Sequence, residues 1–331
     1  MLRLPRFGVV TPQTVEDVVA AINQPGARII AGGTDLLPNL KHRLEQPALL
    51  VSLSQVEALR QVGRDDRAGV VRIGAGVTLT EISENHLVRQ LYPSLARAAG
   101  IVASPSIRNM ATIGGNINLD TRCRYVNQSE FWRSAIGGCL KSEGTLCHVV
   151  KGGRNCVAAM SSDCVPVLTT LDATVVLVGP AGERRVAIAE YYNTDGVRHI
   201  NKEPGEFMTE VQIPVPKGPR RSAYAKWTVR KNIDFPLVSV AMRFDLDADS
   251  PDARMTDVRV CVGVLNAKPR LIRRTESLAG KRLSDRATVE ALCQLVYKQS
   301  KPLENVPYEA PYRRKMIPVY TRRAIEKMLA S

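Results

Sequence analysis

Apolar residues near the start of the chain fall first at helical spacing and then in short unbroken runs. Val15, Val18, Val19 and Ile22 recur every three or four positions, and Thr11 followed by Pro12 predicts a capped helix start. Arg28–Ala31 reads as a strand running into Gly32, Gly33, Thr34 and Asp35. A helical stretch with Leu36, Leu37 and Leu40 follows, then a strand over Ala48–Leu53. Residues 1–55 thus predict a small α/β unit. A second unit, 56–216, opens with a strand at Val70–Val77 and continues with helices from Thr80 and over Leu87–Ala99. Ile101–Asn116 is expected to be irregular. Cys164–Leu171 reads as a helix, and Ala173–Val178, Arg185–Ile188 and Phe207–Ile213 read as strands.

Pro214, Pro216, Gly218 and Pro219 mark a linker. Beyond it, 222–331 predicts a separable unit. Its strands lie near Ala223–Val229, Val238–Phe244 and Met255–Leu265, with a helix over Asp285–Ser300 and a basic helix over Tyr312–Leu329. The chain contains no internal repeat and no low-complexity tract.

At 331 residues, 44% hydrophobic and 24% charged, the composition is that of an ordinary globular protein with two or three cores. No apolar run approaches the roughly 20 residues needed to cross a bilayer. Pro5 and Gly8 interrupt any signal-peptide core, so a cytoplasmic location with reduced thiols is expected. A net charge of +14 invites a nucleic-acid reading, but the cations are spread along the chain. Small clusters lie at Lys217–Arg221, Arg270–Arg274 and Arg313–Lys315, while five Phe and two Trp offer few stacking platforms. The expectation is no nucleic acid and no membrane. A positive face could equally dock an acidic redox partner.

Two glycine pairs carry candidate chemistry. Gly32-Gly33-Thr34 sits between a strand and a helix, where backbone amides can approach a phosphate; a plain β-turn-α connection is the alternative. Thr112-Ile113-Gly114-Gly115-Asn116 could close on a pyrophosphate from the other side, or could simply be a turn held by Asn116. Gly74-Ala75-Gly76 begins like a Rossmann fingerprint, but Leu79 stands at its third glycine position, and no P-loop is present.

Between the second glycine pair and Cys164 lie Cys123, Cys139, Cys147 and Cys156, spaced 16, 8 and 9 residues apart. Four thiolates can complete a zinc site or a cubane. The C-x₂₋₄-C pairs of zinc modules are absent, and the glycine-rich spacing suits a loop around a larger object. Cys164, Cys261 and Cys293 sit in apolar patterns and read as core thiols. Of the four histidines, His148 could tune a ligand beside Cys147, although a surface role fits better.

These residues resemble a known family. I-I-A-G-G-T-D-L-L-P-N-L, I-G-A-G-V-T-L, R-N-M-A-T-I-G-G-N-I, S-D-C-V-P-V-L-T-T-L-D-A and A-Y-A-K-W-T-V-R occur in the order found in FAD-binding subunits of the xanthine oxidase family. Ordinary members pass almost directly from G-G-N to S-D. The intervening segment, about 117–160, resembles the loop of 4-hydroxybenzoyl-CoA reductase β subunits, which holds a [4Fe-4S] cluster.

The resemblance implies an α+β fold. It comprises a PCMH-type FAD-binding domain of two α/β subdomains (1–216) with an iron-sulfur loop insertion, and a C-terminal α+β domain of the CO dehydrogenase flavoprotein type (222–331). It implies FAD contacts from Ile29, Ile30, Ala31, Gly32, Gly33, Thr34, Asp35 and Leu36, and from Thr112, Ile113, Gly114, Gly115 and Asn116. It also implies Val102 flanking the flavin, Asp163 at the ribose or phosphate region and Lys226 near the isoalloxazine. Met208 stands where other members have leucine. Cys123, Cys139, Cys147 and Cys156 match the cluster ligands. The implied assembly is a dimer of heterotrimers with a molybdenum-cofactor subunit and a [2Fe-2S] subunit. Reduced ferredoxin would feed electrons for reductive dehydroxylation of a phenolic aryl-CoA. The alternatives are the flavin subunit of an oxidising, NAD-linked hydroxylase and a zinc-containing nucleic-acid-binding protein.

Overall fold

The structure is a computed structural model and describes residues 3–230 and 232–330. The first unit runs β1 (Gly8–Val10), α1 (Val15–Ile22), β2 (Ala27–Ile30), α2 (Leu36–Lys41), β3 (Leu49–Ser52). Its strands are parallel, in the order β1–β3–β2. The apolar spacing located the buried face of α1, but its cap is Thr14 rather than Thr11. Thr14 has the extended backbone a cap needs, and its hydroxyl accepts from the Asp17 amide.

The second unit runs β4 (Val62–Asp65), β5 (Val70–Gly74), α3 (Leu79–Glu84), α4 (His86–Leu91), α5 (Pro93–Gly100), α6 (Pro105–Arg108), α7 (Ile113–Ile117) and α8 (Glu130–Ala135). It then continues through α9 (Cys164–Thr170), β6 (Thr174–Gly179), β7 (Gly182–Ala187), α10 (Ile188–Tyr191) and β8 (Phe207–Pro214). Its five strands form an antiparallel sheet, β4–β5–β8–β6–β7. The single helix expected over Leu87–Ala99 is two. Pro93 has no amide to donate and pushes Tyr92 out of helical geometry, to φ −136° and ψ 60°. The stretch expected to be irregular, Ile101–Asn116, includes the short helices α6 and α7. Strand β4 escaped sequence reading because V-G-R-D carries a single apolar residue at the sheet edge.

The third unit follows the linker: β9 (Arg220–Trp227), β10 (Val238–Leu246), β11 (Met255–Gly263), β12 (Arg270–Leu271), α11 (Arg286–Gln299) and α12 (Ala310–Leu329). The sheet is antiparallel, in the order β12–β11–β10–β9. One face packs Val240, Met242 and Phe244 against Leu292, Val296, Ile317 and Ile325. From the other face, Tyr224 and Ala241 enter the core of the second unit, beside Leu95 of α5 and Val167 of α9. Covered on both sides, β10 is buried along nearly its whole length. Arg243 on this strand pairs with Asp172 of the second unit and with Asp245 and Asp257 of its own sheet.

The predicted basic cluster at Arg313–Lys315 does not form a surface patch, because Arg313 is fully buried. Cys164, Cys261 and Cys293 are core thiols, as expected. Among the described residues no helix is long and apolar enough to cross a membrane.

The buried Tyr92 hydroxyl lies 3.1 Å from the Ile213 carbonyl oxygen and 3.0 Å from that of Pro214, tying the α4–α5 break to the end of β8. Tyr92→Phe is expected to cost about 1–3 kcal/mol, since it strips buried acceptors of a donor while keeping the ring. The midpoint of urea unfolding measures it.

Candidate functional site

The two glycine loops meet through their backbones. A Cβ on Gly32 would sit 1.8 Å from the Met110 carbonyl oxygen, so glycine here is what allows the first loop to lie against the residues entering the second. Gly33 has φ +71°, a left-handed conformation that favours glycine, and a Cβ would also press on Leu37 and Ile30 at 3.1–3.3 Å. Among the described residues, none accepts a hydrogen bond from the amides of Gly32, Gly33, Thr34 or Asp35. Ile29 and Ile30 end strand β2 and Leu36 begins α2, so this donor row is held between two fixed elements.

The second loop is built differently. The Ile113 amide donates to Val77 O, Gly114 to Ala75 O and Asn116 to Thr112 O, while Gly115 donates to the Thr112 hydroxyl at 3.0 Å. Its amides are therefore already used. Gly114 is required by packing, since a Cβ there would lie 2.7 Å from the Ala75 carbonyl oxygen. Asn116 accepts from the Ser162 hydroxyl at 2.6 Å and from the Cys164 amide at 3.3 Å, fastening the loop to the start of α9.

The structure brings Asp163 and Lys226 together. Their charged groups are 3.1 Å apart, and the Tyr224 hydroxyl donates to the same carboxylate at 2.6 Å. Burial pushes the Asp163 carboxyl above its ordinary range, against the opposing pull of Lys226 and Tyr224. Resemblance assigned this pair to two separate parts of FAD, yet the side chains occupy one place. Val102 is half-buried after α5, its carbonyl held by Arg108 at 2.7 Å. Met208 is buried in the core, its sulfur 3.9 Å from the Asn118 amide nitrogen.

Cys123, Cys139, Cys147 and Cys156 line one common cavity with Tyr125, Lys141 and His148. All four are free thiols, and Cys147 is the most exposed of them. Main-chain amides are aimed at three of the sulfurs: Tyr125 and Val126 at Cys123, Val150 at Cys147, Ala158 at Cys156. Burial pushes the Cys123 thiol up and that of Cys156 to about 11, so metal binding at neutral pH would release protons. Among the described residues no three Cys, His, Asp or Glu groups converge closely enough to hold a single metal ion. His148 is half-buried. Its ring stacks on Tyr125 at 5.1 Å and its Nε2 lies 2.7 Å from the Gly138 carbonyl oxygen.

Sequence reasoning missed Arg122, one residue before Cys123. It pairs with Asp35 of the first glycine loop, reaches Asn39 at 3.4 Å and lies 4.9 Å over the Phe235 ring of the third unit. Burial lowers its pKa to about 10, which leaves it charged at neutral pH. Its position between the thiols and the donor row was the one signal available in the sequence.

Residues 5–216 match the model of the FAD binding domain in molybdopterin dehydrogenase, and 222–328 that of the CO dehydrogenase flavoprotein C-terminal domain. The aldehyde oxidoreductase FAD-binding subunit of Escherichia coli is 35% identical over 77% of this chain and 79% of its own. The carbon monoxide dehydrogenase medium chain of Afipia carboxidovorans is 28% identical over 96% and 95%. A reconstituted CO dehydrogenase from Oligotropha carboxidovorans superposes with a TM-score of 0.79 at 25% identity, covering 99% of both chains. The chain belongs to the FAD-binding subunits of molybdopterin dehydrogenases. It is a flavoprotein component of an oxidoreductase, and the zinc-dependent nucleic-acid reading gives way.

Three substitutions test the site. Gly33→Ala should weaken FAD binding about tenfold by straining the donor row, with little change in fold. Gly114→Ala should instead destabilise the chain, and flavin fluorescence titration beside urea unfolding separates the two. Lys226→Met should cost about 3–5 kcal/mol by leaving a buried carboxylate unpaired. Because the folded-state pKa of Asp163 is raised, its charge cost is fully present above that pKa. The cost fades as pH falls through it toward the ordinary ~3.9. The stability gap between variant and parent should therefore narrow on acidification.

Proposed function

We propose that this chain carries FAD and a [4Fe-4S] cluster and passes electrons within a molybdenum-containing complex, alongside separate molybdenum-cofactor and [2Fe-2S] subunits in a dimer of heterotrimers. The observation that carries this reading is the shared cavity of Cys123, Cys139, Cys147 and Cys156, with amides directed at three of the four sulfurs. Hydrogen bonds to sulfur are a recognised means of tuning such clusters. A cubane places each thiolate on a different iron, so it asks for wider sulfur spacing than a single zinc ion. A bound cluster exchanges single electrons, and a bound flavin exchanges them singly or in pairs.

The residues proposed to hold FAD are Ile29–Leu36, Val102, Thr112–Asn116, Asp163, Met208 and Lys226. The unpartnered amides of the first loop would bind pyrophosphate, and Asn116 would keep the second loop in place. Asp163 and Lys226, as one ion pair, would serve one part of the cofactor. Arg122 sets the spacing between the thiol cavity and the first loop. Reduced thiols of this kind suit a cytoplasmic setting.

For direction, we take the reductive reading: reduced ferredoxin supplies electrons, and a phenolic aryl-CoA loses its hydroxyl on the molybdenum subunit, as in 4-hydroxybenzoyl-CoA reductase. The insertion supports it, since a one-electron donor needs a cluster port whereas NAD(H) needs the flavin itself. The oxidising reading has its own support, because one relative is named for aldehyde oxidoreductase.

Anaerobic protein should contain about four iron and four sulfide per chain. Serine at Cys123, Cys139, Cys147 or Cys156 should lower that content, whereas serine at Cys164, Cys261 or Cys293 should not. Stoichiometric zinc without sulfide would sink the cluster reading. In the assembled complex, loop-cysteine variants should lose ferredoxin-linked turnover with FAD retained, and the coupling should weaken as salt rises. Efficient aldehyde-to-NAD coupling that survives those variants would establish the oxidising alternative.

A further inference from the structure

The base of the thiol loop is fastened from outside the FAD-binding domain. Arg122 and Ala159 exchange main-chain hydrogen bonds at 2.7 and 2.6 Å, forming a two-stranded base with Cys123 and Cys156 close by. Asn305, in the segment between α11 and α12, touches both strands. Its carbonyl accepts from the Arg124 amide at 2.7 Å, and its side-chain amide donates to the Val157 carbonyl at 2.7 Å. Arg124 follows Cys123, and Val157 follows Cys156. Asn305 also donates to Leu265 O at 3.1 Å, and the neighbouring Asn266 carbonyl accepts from the Met160 amide at 3.0 Å.

Asn305 has no exposed surface, and its own position is set by the equally buried Arg313. That guanidinium spans the Leu303, Leu237 and Val264 carbonyls and lies 3.4 Å from the Asn305 side-chain oxygen. Arg313 thus organises a set of third-unit carbonyls around one asparagine. Cys139 and Cys147 are supported from within the FAD-binding domain instead. The 136–150 segment that bears them is held by its own short turns, such as Cys139 to Ser142 and Gly144 to Cys139. It is also held by Lys141, whose ammonium donates to Asp120 at 2.6 Å and to Gly196 O at 2.7 Å, and by the stacking of His148 on Tyr125.

We propose that Asn305 is a positioning residue for the thiol loop. The C-terminal domain, through Asn305 and Arg313, fixes the strands that carry Cys123 and Cys156, while Cys139 and Cys147 are positioned from within the FAD-binding domain. The C-terminal domain then acts directly on the metal-binding loop as well as on the flavin domain. The part of this inference that concerns metal rests on the cluster reading above.

The test uses the full chain with Asn305→Asp and Asn305→Ala. The aspartate keeps the side-chain oxygen for Arg313 and the main-chain acceptor for Arg124, but turns a carboxylate oxygen toward Val157 O and Leu265 O and adds a charge beside Arg313. The alanine removes the side chain and keeps only the main-chain acceptor. Without metal, alkylation of each thiol by iodoacetamide is followed by mass spectrometry. Loss of a buried donor should speed labelling of Cys123 and Cys156 about tenfold to hundredfold through local opening, with Cys139 and Cys147 nearly unchanged. With iron and sulfide reconstituted, the variants should lose cluster absorbance faster and show an altered electron paramagnetic resonance signal, with FAD content unchanged. Parent-like labelling and spectra in a folded variant would overturn the proposal. So would failure of both variants to accumulate, since Asn305 would then serve the fold as a whole. A parent chain that takes up no iron would defeat the cluster reading alone, and the metal-free labelling pattern would still decide the role of Asn305.

Discussion

A single buried stretch, Ala158 to Cys164, holds the chain's separate parts in register. Every residue in it has 3% exposure or less, and most of it is not in regular structure. Backbone polar groups in such a segment must find partners or cost free energy. They find them in different places. Ala159 pairs with Arg122 of the thiol loop, and Met160 donates to Asn266 of the third unit. Ser162 and Cys164 are tied to Asn116 of the second glycine loop, and Asp163 to Tyr224 and Lys226 of the third unit. The second glycine loop, the thiol loop and the C-terminal sheet are therefore positioned by one run of seven residues. A shift in any of them is felt by the others.

This constraint explains which sequence expectations were legible. A strand with a continuous apolar run, such as Thr174–Gly179, announces itself because burial on both faces removes any need for alternation. The glycine loops were visible because glycine marks close backbone approach. Their division of labour was not: whether an amide is free or already bonded depends on residues distant in sequence, as with Gly114 and Ala75. The pairing of Asp163 with Lys226 likewise joins positions 63 residues apart. No local pattern encodes it. Thr14 displaced Thr11 as helix cap for a local reason, the reach of one hydroxyl to one amide, which apolar spacing does not resolve.

The two glycine loops show how one residue type serves two ends. In the first, a positive φ at Gly33 accompanies a row of amides that find no acceptor among the described residues. In the second, a flat residue lets α7 sit against the end of β5, and its amides are spent on that contact. One loop supplies donors, and the other supplies the wall that keeps them in place. Arg122 adds a third element, because its pairing with Asp35 makes the geometry of the donor row depend on the thiol loop. The first glycine loop and the thiol loop thus share a charged contact.

Charge was the feature that sequence reading weighed least well. The formal +14 suggests a basic surface, yet Arg243, Arg313 and Lys226 are almost wholly buried, and Arg122, Lys141 and Arg220 are largely covered. Most of these cations pair with carboxylates across unit boundaries or within one sheet. Arg313 donates only to carbonyl oxygens; burial pulls its pKa to about 10 against the opposing charge of Glu304, still high enough to keep the charge at neutral pH. A guanidinium suits such positions because its planar fork can satisfy several fixed acceptors at once, which a single ammonium cannot match. Part of the chain's positive charge therefore works as internal bracing between units. The charge available to steer a partner is what remains, and its effect should be read from exposed clusters rather than from the net count.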